Sequence, residues 1–551
     1  LGMRRVFAII CALMLTVAPL HLQQLPHYRD YAKAPFILAA ILIMGYIAKK
    51  PLKWPVLLGL AGLGGAVVGL GLGFRPDVNI CILPFVVILL LFLPGGLLRT
   101  FKVRLSALGV FFAVYFITAW PILNALSAGS NMPHWVLLGL FSFCDIRLGV
   151  GSPLYDFGNP YSDYYIRTLF QSYSQRLHGN SERLYISTQT YDYYGLRYLL
   201  EIAKRFPADL ALRGYAAVLR VLDEMRMSVQ DPAPRGITNP ILVAAYKARV
   251  LALNSLVGSG RYYAGLTLLL VGGYNLRLAL CALFLVLYFA GYTALQFNLR
   301  HCFHLEFLSL WTLGFLAQQV VDAVRTLRAP ASRGRLKTIL ARPAEWWRPP
   351  VQRALVFAAA ACLSIVLPVA GLRMYQHYTA GALLHASATA PVEAVEFGRK
   401  DLGGDRVLLY LPDFAQLPPV PPEEAGVPAR TQYLVIEFAD AGRPDIPLTI
   451  RYEAEELMYD FTREDIVLPR PISDDAPEEA TARVFAPAFY LSPDAYEGIE
   501  QTFKGIELAK DHLPYLRGVY RVTDLHSLAL LLNLTLPHDW EEFPRHQVFL
   551  R

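Results

Sequence analysis

Apolar residues gather into long runs in two blocks, 1–126 and 262–372, and into short runs elsewhere. A helix needs about 20 mostly apolar residues to cross a bilayer. Five candidates occur in the first block: 6–22, 35–47, Trp54–Phe74, 80–94 and 105–126, of which the second and fourth are short unless flanking residues join them. The stretch 262–297 is too long for one straight helix and is interrupted at 272–277 (Gly-Gly-Tyr-Asn-Leu-Arg), which predicts two spans joined by a tight turn. Runs at 305–324 and 354–372 complete the set. Gly62, Gly65, Gly69 and Gly73 recur along the third run. Small residues let helix backbones approach in lipid, so these glycines predict helix packing and not a nucleotide loop.

Outside the two blocks the periods change. Residues 150–200 are rich in tyrosine, and 215, 218, 219 and 222 recur as apolar positions at helical spacing after Pro207 and Asp209. The region 127–261 is therefore expected to be a mainly helical insertion. Beyond Arg373, short β-type runs at 407–411, 432–438, 447–452, 466–468 and 482–491 are separated by Pro, Gly and Asp clusters such as 417–422, with 519–522 and 528–536 as further strands. That rhythm predicts an all-β, sandwich-like domain over 373–551. The expected fold class is an α-helical polytopic membrane protein carrying a helical insertion and a C-terminal β domain.

Charge orients the spans. Of the 551 residues only 17% are charged, against about 25% in a typical soluble protein. Arg4 and Arg5, then Lys49, Lys50 and Lys53, then Arg99, Lys102 and Arg104 occupy alternate loops, and 325–353 is strongly basic. Lys and Arg accumulate on the cytoplasmic side. The loops 21–33 and 75–77, the insertion and the β domain then face outward, in a multi-pass protein of the plasma (inner) membrane. The net charge of +7 suits membrane orientation and gives no footprint for nucleic acid. The six cysteines show neither metal spacing nor a disulfide framework. The first Met is Met3, which is read as a chain whose start lies upstream.

No phosphate loop, Gly-x-Ser-x-Gly, His-Glu-x-x-His or Cys-x-x-Cys occurs. Chemistry is expected at polar residues on the outer ends of spans, in three clusters: His27, Tyr28, Arg29, Asp30 and Lys33; Arg75, Pro76 and Asp77; and Arg300, His301, His304 and Glu306. Guanidinium matches phosphate geometry, and a carboxylate can take the proton of an acceptor hydroxyl. Interfacial snorkelling with local ion pairs explains each cluster as well when it is taken alone. In the insertion, Asp156 and Asp163 flank Gly158-Asn159-Pro160, where they form an ordinary turn or bind substrate or a divalent cation. His301 and His304 alone are too few for a metal site. The tyrosines can stack on sugar rings or fill a core. Asn533-Leu534-Thr535 matches a glycosylation sequon.

The Gly-rich span ending in Arg75-Pro76-Asp77, the preceding loop 28–35 (YRDYAKAP) and 297–307 (FNLRHCFHLEF) resemble polytopic glycosyltransferases of the GT-C fold. The resemblance implies inverting transfer of a sugar from a polyprenyl-phosphate carrier to a glycan, lipid or protein acceptor, with an acidic residue of the first outer loop as base. On this chain that role falls to Asp30 or Asp77. Arg29, Arg75, Arg300, His301, His304, Glu306, Asp156 and Asp163 would then bind substrate. No acidic pair stands in an early outer loop, which places the family's catalytic loop upstream of residue 1 or makes the protein a non-catalytic component of envelope polysaccharide assembly or export.

Overall fold

The computed structural model describes residues 3–541 apart from 17, 128, 152–154, 158–162, 179–182, 224–237, 255–257, 329–342, 413–428, 455–462, 473–474, 492–500, 525–527 and 529. The Pro-rich stretch 417–422, the turn at 158–160 and most of the basic loop 325–353 therefore lie outside the described residues. Contacts divide the chain into two compact units, Leu1–Leu126 with Arg213–Pro368, and Ser127–Leu212 with Val369–Arg551.

The first unit is helical. Five helices are long and apolar enough to cross a membrane: Trp54–Phe74, Phe101–Leu126, Leu276–Gln296, Leu299–Thr326 and Pro349–Ala388. Nine spans were expected, and the other four are helical but shorter. Pro19 divides the first run into Arg5–Thr16 and Pro19–Gln24, because proline cannot donate its backbone bond within a helix. Lys33–Lys49 has 17 residues, about 26 Å of helix against a hydrocarbon core of about 30 Å. The run at 80–94 winds as a 3-10 turn, an α turn and a π turn over Pro76–Cys81, Ile82–Val87 and Ile88–Phe92. The break expected at 272–277 is present: Gly260–Tyr274 ends at Asn275, whose side chain accepts the Leu278 N–H and caps Leu276–Gly291.

The glycines of Trp54–Phe74 pack as expected. A Cβ at Gly65 would overlap the Phe111 carbonyl oxygen, and one at Gly69 would lie 2.9 Å from the Tyr115 carbonyl oxygen. Phe101–Leu126 thus crosses the glycine face at backbone contact.

Basic side chains gather several loops at one end of these helices. Arg104 is buried and donates to the carbonyls of Leu90 (2.6 Å), Leu93 (2.8 Å), Gly95 (3.2 Å) and Leu89 (3.3 Å). Arg277 donates to Ala48 O at 2.9 Å and to Phe92 O, and Arg353 donates to Tyr274 O at 3.0 Å. Carbonyls left open at helix C-termini are met by guanidinium donors.

The second unit joins Ser127–Leu212 of the insertion to the β domain. The helix Pro343–Ala388 runs 46 residues and continues past Arg373, so the expected start of β structure after 373 moves to Val392. Gln376 accepts the N–H groups of Ala208 (2.8 Å) and Asp209 (3.1 Å), and Arg373 pairs with Asp209 at 2.8 Å. The strands are β1 Val392–Ala394, β2 Gly398–Gly403, β3 Arg406–Tyr410, β4 Ala429–Ala439, β5 Ile446–Ala454, β6 Arg463–Leu468, β7 Thr481–Leu491, β8 Gln501–Ala509, β9 Leu516–Val522 and β10 Leu534–Leu536. They form two antiparallel sheets, β1-β9-β4-β7-β10 and β6-β5-β8-β3-β2, joined where Tyr490 and Leu491 of β7 pair with Thr502 and Gln501 of β8.

The helix Asp163–His178 lies on β4 and β7. Ser172 Oγ meets Thr431 Oγ1 at 2.6 Å, and Tyr165 meets Phe489 edge to face at 5.0 Å. β4 is therefore covered on both sides, which is why residues 433–436 are all buried and do not alternate. Five of the tyrosines offered for sugar stacking, Tyr155, Tyr165, Tyr173, Tyr191 and Tyr198, are instead buried in this core. The expected insertion is also divided. Arg213 donates to Ala294 O at 3.3 Å and Ser309 Oγ donates to Leu222 O at 2.8 Å, so residues from 213 onward pack in the first unit.

Candidate functional site

Two short turns of the first unit bring four charged side chains together. Asp30 sits on the single turn Tyr28–Tyr31, and Lys33 opens Lys33–Lys49. Trp54–Phe74 stops at Arg75, whose extended backbone leads into Pro76 and the turn carrying Asp77. Proline fits the first position of that turn because no bond is asked of its nitrogen. Lys33 Nζ lies 3.0 Å from Asp77 Oδ2, Arg75 Nε donates to the same oxygen at 3.1 Å, and Arg75 Nη1 donates to Asp30 Oδ1.

The lysine is buried, with 1% of its side chain exposed, while that of Asp77 is 37% exposed. Burial pushes the Asp77 carboxyl up, but the Lys33 and Arg75 charges and their hydrogen bonds outweigh it and hold the group down at about 2. The carboxylate is thus ionised across the physiological range and reachable from one side.

The third expected cluster divides. His304 is buried, its Nε2 faces Tyr292 Oη at 3.3 Å, and the adjacent Phe303 stacks on Tyr31, the residue after Asp30, with ring centroids 5.7 Å apart. His304 Nδ1 has no partner among the described residues. His301 Nδ1 donates to Gln296 O at 3.2 Å, and its Nε2 accepts from Arg300 Nε at 3.2 Å. Arg300 is exposed. Glu306 points elsewhere. It is fully buried, pairs with Arg249 and lies 3.9 Å from His21 Nε2. Arg249 in turn donates to Met14 O at 3.0 Å.

The structure therefore brings Asp30, Lys33, Arg75 and Asp77 together, stacks Phe303 of the third cluster on Tyr31 beside Asp30 and sets Glu306 in a helix-tying ion pair. No protein-family model, curated protein or solved structure matches this chain. What the neighbourhood does must be read from its own geometry.

Asp156 and Asp163 lie in the second unit. Asp163 is exposed and accepts from His134 Nε2 at 3.1 Å, while His134 Nδ1 contacts Tyr191 Oη at 2.6 Å. Asp156 lies between the buried Tyr155 and Phe157, and its carbonyl accepts the Asn533 N–H at 2.7 Å. The side chain of Arg29 lies outside the described residues. The sequon asparagine is 6% exposed and donates to Glu464, which leaves no room for a glycan.

Lys33, expected in the first polar cluster as a candidate for phosphate, is instead engaged by Asp77, and a lysine opening an apolar run three residues after an aspartate is a signal for such an ion pair. Arg249 was missed, and its signal is a lone guanidinium in the apolar helix Pro240–Asn254.

Proposed function

We propose that the protein is a membrane glycosyltransferase of the GT-C kind, moving a sugar from a polyprenyl-phosphate carrier to an envelope glycan, lipid or protein acceptor. One observation carries the reading: Asp30, Lys33, Arg75 and Asp77, from two loops assigned to the same face of the membrane by charge, meet, and Phe303 of the third cluster stacks on Tyr31 next to Asp30. The gathering of the basic loops around Arg104 and Arg277 supports that alternation of loops.

In the proposed step the acceptor hydroxyl oxygen attacks the anomeric carbon and Asp77 takes its proton. The bond from that carbon to the carrier phosphate oxygen breaks with inversion. Arg300, exposed next to His301, meets the charge of the departing phosphate. Lys33 and Arg75 orient Asp77 and keep it ionised. A carboxylate held at about 2 is a weak base, so most of the rate must come from positioning and from phosphate stabilisation.

The same weakness favours a second reading. Both carboxylates already bind Arg75, as in a structural network of a non-catalytic component of polysaccharide assembly or export. Reconstituted protein supplied with a radiolabelled polyprenyl-phosphate sugar and membrane-derived acceptors separates the two. Transfer that Asp77→Asn and Arg300→Ala each lower by about 100-fold supports the enzyme. Carrier binding with no transfer by the wild-type protein supports the alternative.

A further inference from the structure

The second unit carries an exposed apolar surface that the proposed reaction does not use. In the helix Gln189–Arg205 the buried positions are Tyr191, Gly195, Tyr198 and Ile202, which recur at helical spacing and face the core. The opposite side holds Tyr193, Leu196 and Leu200, exposed at 48%, 53% and 58%. A helix side turned to water is polar as a rule, although single exposed apolar residues are ordinary. These three follow one another at i, i+3 and i+7 and so form one stripe, which marks an interaction surface.

The chain ties this helix to the end of an apolar run. Thr379 Oγ1 donates to Arg205 O at 2.7 Å, Gln376 accepts the N–H groups of Ala208 and Asp209, and Arg373 pairs with Asp209. Arg373, Gln376 and Thr379 belong to Pro343–Ala388, the helix whose apolar run ends at 372. At 1.5 Å per residue these contacts lie within roughly 10 Å of the run's end, and lipid headgroups occupy about 5–7 Å on each side of the hydrocarbon core. Met374 and Tyr378 are exposed on the same stretch, at the level where interfacial anchors collect. The other attachment repeats the pattern. Phe101–Leu126 is long and apolar enough to cross a membrane, and Met132–Leu138 and Ser142–Leu148 follow it directly, exposing Trp135 and Ile146.

Charge agrees with a lipid surface. The exposed charged residues of Gln189–Arg205 are Arg197 and Lys204, both basic, whereas Asp192 accepts from Ser130 Oγ at 2.8 Å and Glu201 pairs with Arg205 at 3.4 Å. Arg197 lies over the Tyr193 ring, 4.7 Å from its centroid. A guanidinium held there can still offer N–H donors to a phosphate. An apolar and aromatic stripe edged by basic residues is the composition of a helix lying in the plane of a membrane interface. We propose that this stripe docks on the phospholipid surface beside the spans, with Tyr193, Leu196 and Leu200 in the headgroup layer, and so holds the second unit down on the membrane. The inference rests on the membrane placement of the apolar helices and is independent of the transfer reaction.

The test uses the full chain in nanodiscs that each hold one copy, made from an equal mixture of phosphatidylglycerol and phosphatidylethanolamine. A bimane label is attached at Leu196→Cys or at Leu200→Cys in a Cys362→Ser background, because Cys362 is the exposed native thiol. Lys400→Cys in that background, on the polar strand β2, is the water control. Cys362 of the wild-type chain, inside the last apolar run, is the membrane control. Labels at 196 and 200 should be quenched by lipid carrying a headgroup nitroxide, and iodide should quench them severalfold less than the label at 400. Iodide quenching at 196 and 200 equal to that at 400 overturns the inference and leaves the stripe in water. Shielding from iodide without quenching by the lipid also overturns it, because protein then covers the stripe. A label on Cys362 as open to iodide as the one at 400 overturns the membrane placement itself, and the docking with it.

Discussion

Gly65→Ala should loosen the helix pair at the centre of the first unit, and the structure fixes how much. The added methyl would overlap the Phe111 carbonyl oxygen and would lie 3.1 Å from Tyr115 N and 3.2 Å from Phe111 C. All three are backbone atoms of Phe101–Leu126 and cannot rotate away, so the two helices must separate by roughly half an ångström or more, and forced overpacking of this kind costs about 1–3 kcal/mol. Gly62→Ala is the internal control. Its methyl would stand 3.4 Å from Val110 Cγ1, an ordinary contact with a side chain. Gly59→Ala meets nothing within 4 Å. Both controls gain up to about 1 kcal/mol of helix propensity and should be neutral or stabilising. Thermal unfolding in detergent, read by fluorescence of a buried-thiol dye, would rank the three variants. Gly65→Ala as stable as Gly62→Ala would refute backbone contact between these helices.

The remaining predictions concern charge and hydrogen bonding. Arg249→Met leaves Glu306 buried without its cation and should cost about 3–5 kcal/mol, whereas adding Glu306→Leu to it should recover most of the loss; equal Tm values for the single and double variants would show that the pair is not coupled. Asp77 is held below its usual value of 3.8, down to about 2, so the stability it contributes is full above about 4 and is lost as pH falls through about 2. The stability gap between wild type and Asp77→Asn should therefore narrow below pH 4, and a gap unchanged down to pH 2 would remove the ion pairs from the account. Tyr198→Phe deletes the bond to Leu530 O and should cost about 1–2 kcal/mol with no change in fold by circular dichroism.

The apolar runs, the alternate basic loops and the punctuated β runs were legible because each is a local pattern with a fixed period. The break at Asn275 was visible for the same reason: two glycines and a capping asparagine interrupt an apolar run. β8 was not expected, because Lys504 and Gly505 interrupt its apolar positions, and only pairing with β3 and β5 makes it a strand. The end of the last helix was misplaced because 374–388 is less apolar yet continues helically, with Gln376 and Arg373 anchored on the 208–209 turn.

The sequence alone decided that polar clusters near positions 30, 75 and 300 exist, since charges beside apolar runs stand out whatever the fold. Only the tertiary structure decided which of them meet. Asp30, Lys33, Arg75 and Asp77 converge because two helix ends are neighbours, while Glu306 turns to Arg249 and the tyrosines turn into a core. Side-chain partners far apart in the chain depend on how elements pack, and no local period carries that information.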